Sequence, residues 1–134
     1  MAPRRMFELP AEDVAFLEEY GCPWESVIDG SHWVLLHEFD TRNPGYNHER
    51  VTAAVRIETG YPKAALDMVY FNPGLDRTDG KPINATSATQ AICGQTFQRW
   101  SRHYTPAHPW VIGENNLGTH ILTIEDWLRR EFEK

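Results

Sequence analysis

Residues 60–75 read GYPKAALDMVYFNPGL. Gly60-Tyr61-Pro62 breaks the chain, Asp67–Phe71 (DMVYF) is a short β-branched and aromatic run, and Asn72-Pro73-Gly74 stops it. A run of that composition between two such breaks reads as a strand. Upstream, Val51–Ile57 alternates, and His32–Phe39 (HWVLLHEF) is apolar and β-rich, with the turn cluster DTRNPGYN at 40–47 between them. Consecutive strands joined by short turn-rich links predict an antiparallel meander. Before these, Cys22-Pro23-Trp24 begins a further extended stretch that ends in the turn Asp29-Gly30.

Helical periodicity appears only at the two ends. Over residues 9–20, Pro10 suits a first turn, and Glu12 and Asp13 put acid where the helix dipole favours it. Val14, Phe16, Leu17 and Tyr20 recur at helical spacing, and Gly21 ends the run. The acidic face of Glu12, Asp13, Glu18 and Glu19 reads as a solvated face rather than a docking surface. From about Thr119 to Phe132, Ile121, Ile124, Leu128 and Phe132 form an inner stripe with Trp127 beside it. The expectation is one α+β domain over residues 1–134, with both helices on the same side of the sheet. Leu75–Ala91 lacks periodicity and contains the polar run Asn84–Thr89. A loop of that length in a compact domain is usually functional or mobile.

Composition excludes several classes. A formal net charge of −6 with no basic stripe argues against nucleic acid. No apolar run approaches a membrane span, and MAPRRMFELPAED lacks the apolar core of a secretory signal. Two cysteines, Cys22 and Cys93, make neither a disulfide framework nor a CxxC site, which fits a reducing cytoplasm. The histidines show no metal-ligand spacing, and there is no phosphate-cradling glycine loop. No cofactor is expected, and any ATP use belongs to a partner.

The loop delivers the chain to Cys93–Pro109, CGQTFQRWSRHYTPAHP, which sets an indole, a hydroxyl, a guanidinium and an imidazole side by side at Trp100-Ser101-Arg102-His103. In an extended backbone Ser101 and His103 share a face with Phe97 and Arg99, while Trp100, Arg102 and Tyr104 share the other. Trp100 is expected to be buried as an anchor. Cys93 and Ser101 are two nucleophiles near one imidazole. A thiolate needs only a nearby cation such as Arg99, Arg102 or His103, whereas a serine needs His103 as a base. A free cysteine and a strand tryptophan also fill cores in many proteins. A small Ser/His hydrolase is disfavoured, because neither a nucleophile elbow nor an acidic triad partner is recognisable.

The order helix, meander, long loop, cysteine, tryptophan, helix resembles the ubiquitin-conjugating enzyme (E2) fold. Tyr61-Pro62 followed by a strand ending at Phe71 is similar to a characteristic E2 segment, and Trp100 follows Cys93 by seven residues, close to the E2 pattern. More closely, the chain resembles prokaryotic E2-like family E, through LPAEDVAFLE (9–18), GYN (45–47), GYP (60–62), DMVYFNPGL (67–75), QRWSRH (98–103) and THILTIEDWL (119–128). The resemblance implies a UBC-like α+β fold with a long active-site loop. It also implies a protein that accepts a ubiquitin-like C-terminus from an E1-like adenylating enzyme and passes it to an acceptor. A JAB-type deconjugating peptidase would belong to the same pathway. The E2 His-Pro-Asn tripeptide is missing. Asn84, nine residues before Cys93, and Asn72 are the amides that could support an oxyanion. The intermediate would be a thioester on Cys93 or an oxyester on Ser101. The alternative is a catalytically silent E2-like module that only binds.

Overall fold

A computed structural model describes residues 2–134. Helix α1 (Ala11–Tyr20) precedes β1 (Trp24–Asp29), β2 (Ser31–Asp40), β3 (Arg50–Ile57) and β4 (Val69–Asn72). The hairpin β5 (Thr89–Ile92) and β6 (Gln95–Trp100) and helix α2 (Leu117–Arg130) follow, with a short 3-10 turn at Glu131–Glu133. The architecture is α+β. The six strands form one antiparallel sheet in the order β1-β2-β3-β4-β6-β5, so the first four are a meander and the hairpin joins through β6.

Alternation along the strands divides the core. Val34, Leu36, Ala53, Val55, Val69, Phe71 and Trp100 point to the face that both helices cover, where they meet Leu17, Ile121, Ile124 and Leu128. Val27, Trp33, Leu35, Ala54, Tyr70, Ile92 and Phe97 pack together on the other face. Among the described residues no helix contributes to this second cluster; the sheet curls around it. The curl brings the β5–β6 turn to the β1–β2 turn, where Cys93 N–H donates to Asp29 Oδ2 at 2.7 Å.

Several boundaries differ from the sequence reading. Helix α2 begins at Leu117 rather than Thr119, because Asn116 and Thr119 form a reciprocal capping box. Gly21 ends α1 as expected, in the left-handed region at φ 96°, with its N–H donated to Leu17 O. Asp13, expected on a solvated face, is instead buried under Tyr61, which links the helices: its hydroxyl donates to Asp13 Oδ2 (2.6 Å) and accepts Leu117 N–H (2.6 Å). The segment 75–91 is irregular until Thr89, where β5 begins. That strand escapes a pattern search because only Ile92 among its four residues is buried. Among the described residues no helix is long and apolar enough to cross a membrane.

Candidate active site

The site begins with how β6 is anchored. Trp100 is fully buried, edge-on to Phe71, and its indole N–H donates to Gln98 Oε1 at 2.9 Å. The Gln98 amide also accepts Leu75 N–H and donates to Leu75 O, tying the start of the long loop to β6. Beyond Trp100, Met68 N–H donates to Arg102 O at 3.0 Å. This continues the β4–β6 pairing past Ser101 and sets Asp67 beside His103.

Those three side chains form a hydrogen-bonded series. Ser101 Oγ lies 3.1 Å from His103 Nε2, and His103 Nδ1 lies 2.9 Å from both Asp67 carboxylate oxygens. A carboxylate can only accept, so Nδ1 carries a proton, and in the neutral imidazole Nε2 is left to accept the serine O–H. The series is open to solvent, with the His103 side chain 54% and the Asp67 side chain 33% exposed. Such a serine sits hydrogen-bonded to a base that a third group orients, the arrangement that activates a hydroxyl for attack on a carbonyl.

The backbone under Asp67 is held from behind. Met68 has φ 58°, an uncommon conformation for a residue with a side chain. Its N–H is taken by Arg102 O, and its carbonyl accepts His120 Nε2–H at 2.9 Å. His120 Nδ1 in turn accepts the Tyr104 hydroxyl at 2.7 Å. Burial pushes His120 down to about 4, so the ring is neutral at physiological pH.

Arg102 and Asn84 adjoin the serine. Arg102 donates to Asn84 O (2.9 Å) and Ser101 O (3.2 Å), reaches the buried Glu131 carboxylate (3.3 Å), and lies over the Trp100 ring. Ser101 N–H donates to Ala85 O. The loop turn at 84–85 is thus fastened to the serine's own backbone, and Asn84 is exposed on it. Arg102 is a strut between this turn and the end of the chain.

Cys93 lies elsewhere. With φ 49° at Cys93 and 78° at Gly94, it occupies the first position of the two-residue turn joining β5 and β6. Six extended residues, about 20 Å, separate that turn from Ser101. The structure therefore brings Ser101, His103, Arg102 and Asn84 together and leaves Cys93 at the far end of β6, exposed. Asn72 donates its amide to Thr96 O. Asp67 was not recognisable as an acidic partner in the sequence; the 36 positions that set it apart from His103 are closed only by the strand register.

A family model described as Prokaryotic E2 family E matches residues 9–131. No curated protein and no solved structure matches the chain.

Proposed function

The chain belongs to prokaryotic E2 family E, and on that premise we propose that it is an acyl carrier whose nucleophile is Ser101. An E2-like role implies an E1-like adenylating enzyme and a ubiquitin-like protein as partners. In this reading Ser101 Oγ attacks the carbonyl of the E1-bound thioester while its proton passes to His103 Nε2. Asp67 stabilises the imidazolium, and the E1 thiolate leaves with that proton. The product is an oxyester on Ser101. An acceptor nucleophile then attacks the ester and gives its own proton to His103 Nε2, which passes it to Ser101 Oγ as the ester bond breaks. Asn84, on the turn fastened to Ser101, would donate to the oxyanion, and Arg102 would hold that turn in place. A JAB-type peptidase acting on the conjugates would complete such a pathway.

The observation that carries the proposal is the Ser101–His103–Asp67 hydrogen-bond series. The test mixes the protein with its E1, ATP and the ubiquitin-like protein. Ester chemistry predicts an adduct that resists dithiothreitol, is cleaved by hydroxylamine, persists in Cys93→Ala and is lost in Ser101→Ala. A dithiothreitol-labile adduct lost in Cys93→Ala would return the nucleophile to Cys93. The absence of any adduct would favour the silent binding module, a reading consistent with the missing His-Pro-Asn tripeptide.

A further inference from the structure

We propose that the same site has a second activity that needs neither E1 nor ATP: it hydrolyses activated acyl esters and thioesters, including those at a peptide C-terminus. The inference rests on reading Ser101 as a nucleophile, but it concerns what happens to the ester afterwards.

A carrier needs its acyl group to survive until the acceptor arrives. Here the ester would stand beside a base that is still in place. Once the leaving group has carried away the first proton, His103 is neutral again, with Nδ1–H held by Asp67 and Nε2 free to accept. The Ser101 hydroxyl proton, its former partner, is gone. More than half of the His103 side chain faces solvent, so water can reach the ring. Water can then occupy the place the hydroxyl proton held and be activated by the base that activated the serine.

The two half-reactions balance without any added reagent. In the first, Ser101 Oγ forms a bond to the acyl carbon, the bond to the leaving alcohol or thiol breaks, and the serine proton travels through His103 to that group. In the second, water oxygen bonds to the acyl carbon and gives a proton to His103. The Ser101 ester bond breaks, and Oγ recovers the proton. The products are a carboxylic acid and the free enzyme. The substrate class is set by the chemistry: an acyl carbon with a good leaving group, reaching an open surface site. The thioester or oxyester of a ubiquitin-like C-terminus fits that description, and its hydrolysis would discharge idle or misdirected conjugates.

The test uses the wild-type protein with p-nitrophenyl acetate and with the 2-mercaptoethanesulfonate thioester of a Gly-Gly peptide, without E1 or ATP. Continued turnover of both is expected. A fluorophosphonate should add its mass to Ser101 in the unmutated protein, which requires no variant to fold. Ser101→Ala should reduce turnover to background, and His103→Ala should slow it by about 10²–10⁴-fold, the usual loss for a general base. Cys93→Ala should turn over as wild type. A single-equivalent burst with no further release would overturn the hydrolase proposal while leaving the carrier reading intact. Turnover without any E1-dependent adduct would do the reverse. No labelling and no release would overturn the proposal outright, the carrier reading being decided by its own adduct assay.

Discussion

Asp67 and His103 meet with His103 Nδ1 2.9 Å from each carboxylate oxygen, although they stand 36 positions apart in the chain. The carboxylate selects the tautomer that leaves Nε2 as an acceptor for Ser101. In Asp67→Asn the side-chain NH₂ can instead donate to Nδ1, moving the ring proton to Nε2, where it opposes the serine proton. Acylation of Ser101 should slow by on the order of 10²-fold or more. Circular dichroism should be unchanged, since Asp67 is part-exposed. An unaltered acylation rate would remove Asp67 from the mechanism.

Trp100 should be the most costly truncation near the site. It is fully buried, its N–H is paired with Gln98, and it packs edge-on against Phe71 and Tyr46. Trp100→Ala removes a large side chain and leaves Gln98 Oε1 short of a donor, so urea denaturation should register a loss of about 3–5 kcal/mol. A change below about 1 kcal/mol would show that the neighbouring rings collapse into the space.

How much of this was legible depends on range in sequence. Both helices follow from periodicity, and strands β2 to β4 from local apolar, β-rich runs bounded by turn residues, which bury residues on both faces of the sheet. The Ser101–His103 pair was legible too, since two residues apart on an extended chain share a side. Asp67 was not, because its proximity to His103 depends on β4 pairing with β6, and register is a global property. The same holds for Cys93. Closeness in sequence made it a rival to Ser101, and only the hairpin, with Cys93 at its turn and Ser101 past its far end, separates the two.

His120 gives the fold an acid-sensitive point. Its folded value is about 4 against an ordinary value near 6.5, because burial disfavours the charged ring. Between these values the unfolded chain binds a proton that the folded chain does not, so acid favours unfolding. The stability is fully present above about pH 6.5 and declines as pH falls toward 4, by on the order of 3 kcal/mol in total. Chemical denaturation between pH 4.5 and 6.5 reads this slope, with the buried Asp13 carboxyl, raised by desolvation, contributing in the opposite sense. Glu25 stays out of that window: its hydrogen bonds to Arg4 hold it at about 2, so its contribution is lost only below about pH 4.5. His120→Leu should flatten the slope even though the protein becomes less stable. An equal slope in the variant would assign the pH dependence to another group.

Gly118 sits in α2, where helix propensity alone favours alanine by up to ~1 kcal/mol. Packing reverses the sign. A Cβ at this position would stand 2.7 Å from Phe16 Cδ2 and 2.9 Å from Phe16 Cγ, so the Phe16 ring, or α1 with it, would have to shift. Gly118→Ala should destabilise by about 1–3 kcal/mol. The double variant with Phe16→Ala should show a smaller penalty for the same change, measurable as a coupling energy in a double-mutant cycle.

The claim on which the rest depends is that Ser101, not Cys93, carries the acyl group. A protease that cuts after arginine separates the two: Cys93 falls in Thr78–Arg99 and Ser101 in Trp100–Arg102. The protein is charged with the ubiquitin-like protein by E1 and ATP, quenched in acid and digested. Mass spectrometry then locates the C-terminal remnant. The account predicts the remnant on Trp100–Arg102, with Thr78–Arg99 unmodified. A remnant on Thr78–Arg99, removed by dithiothreitol, would contradict it.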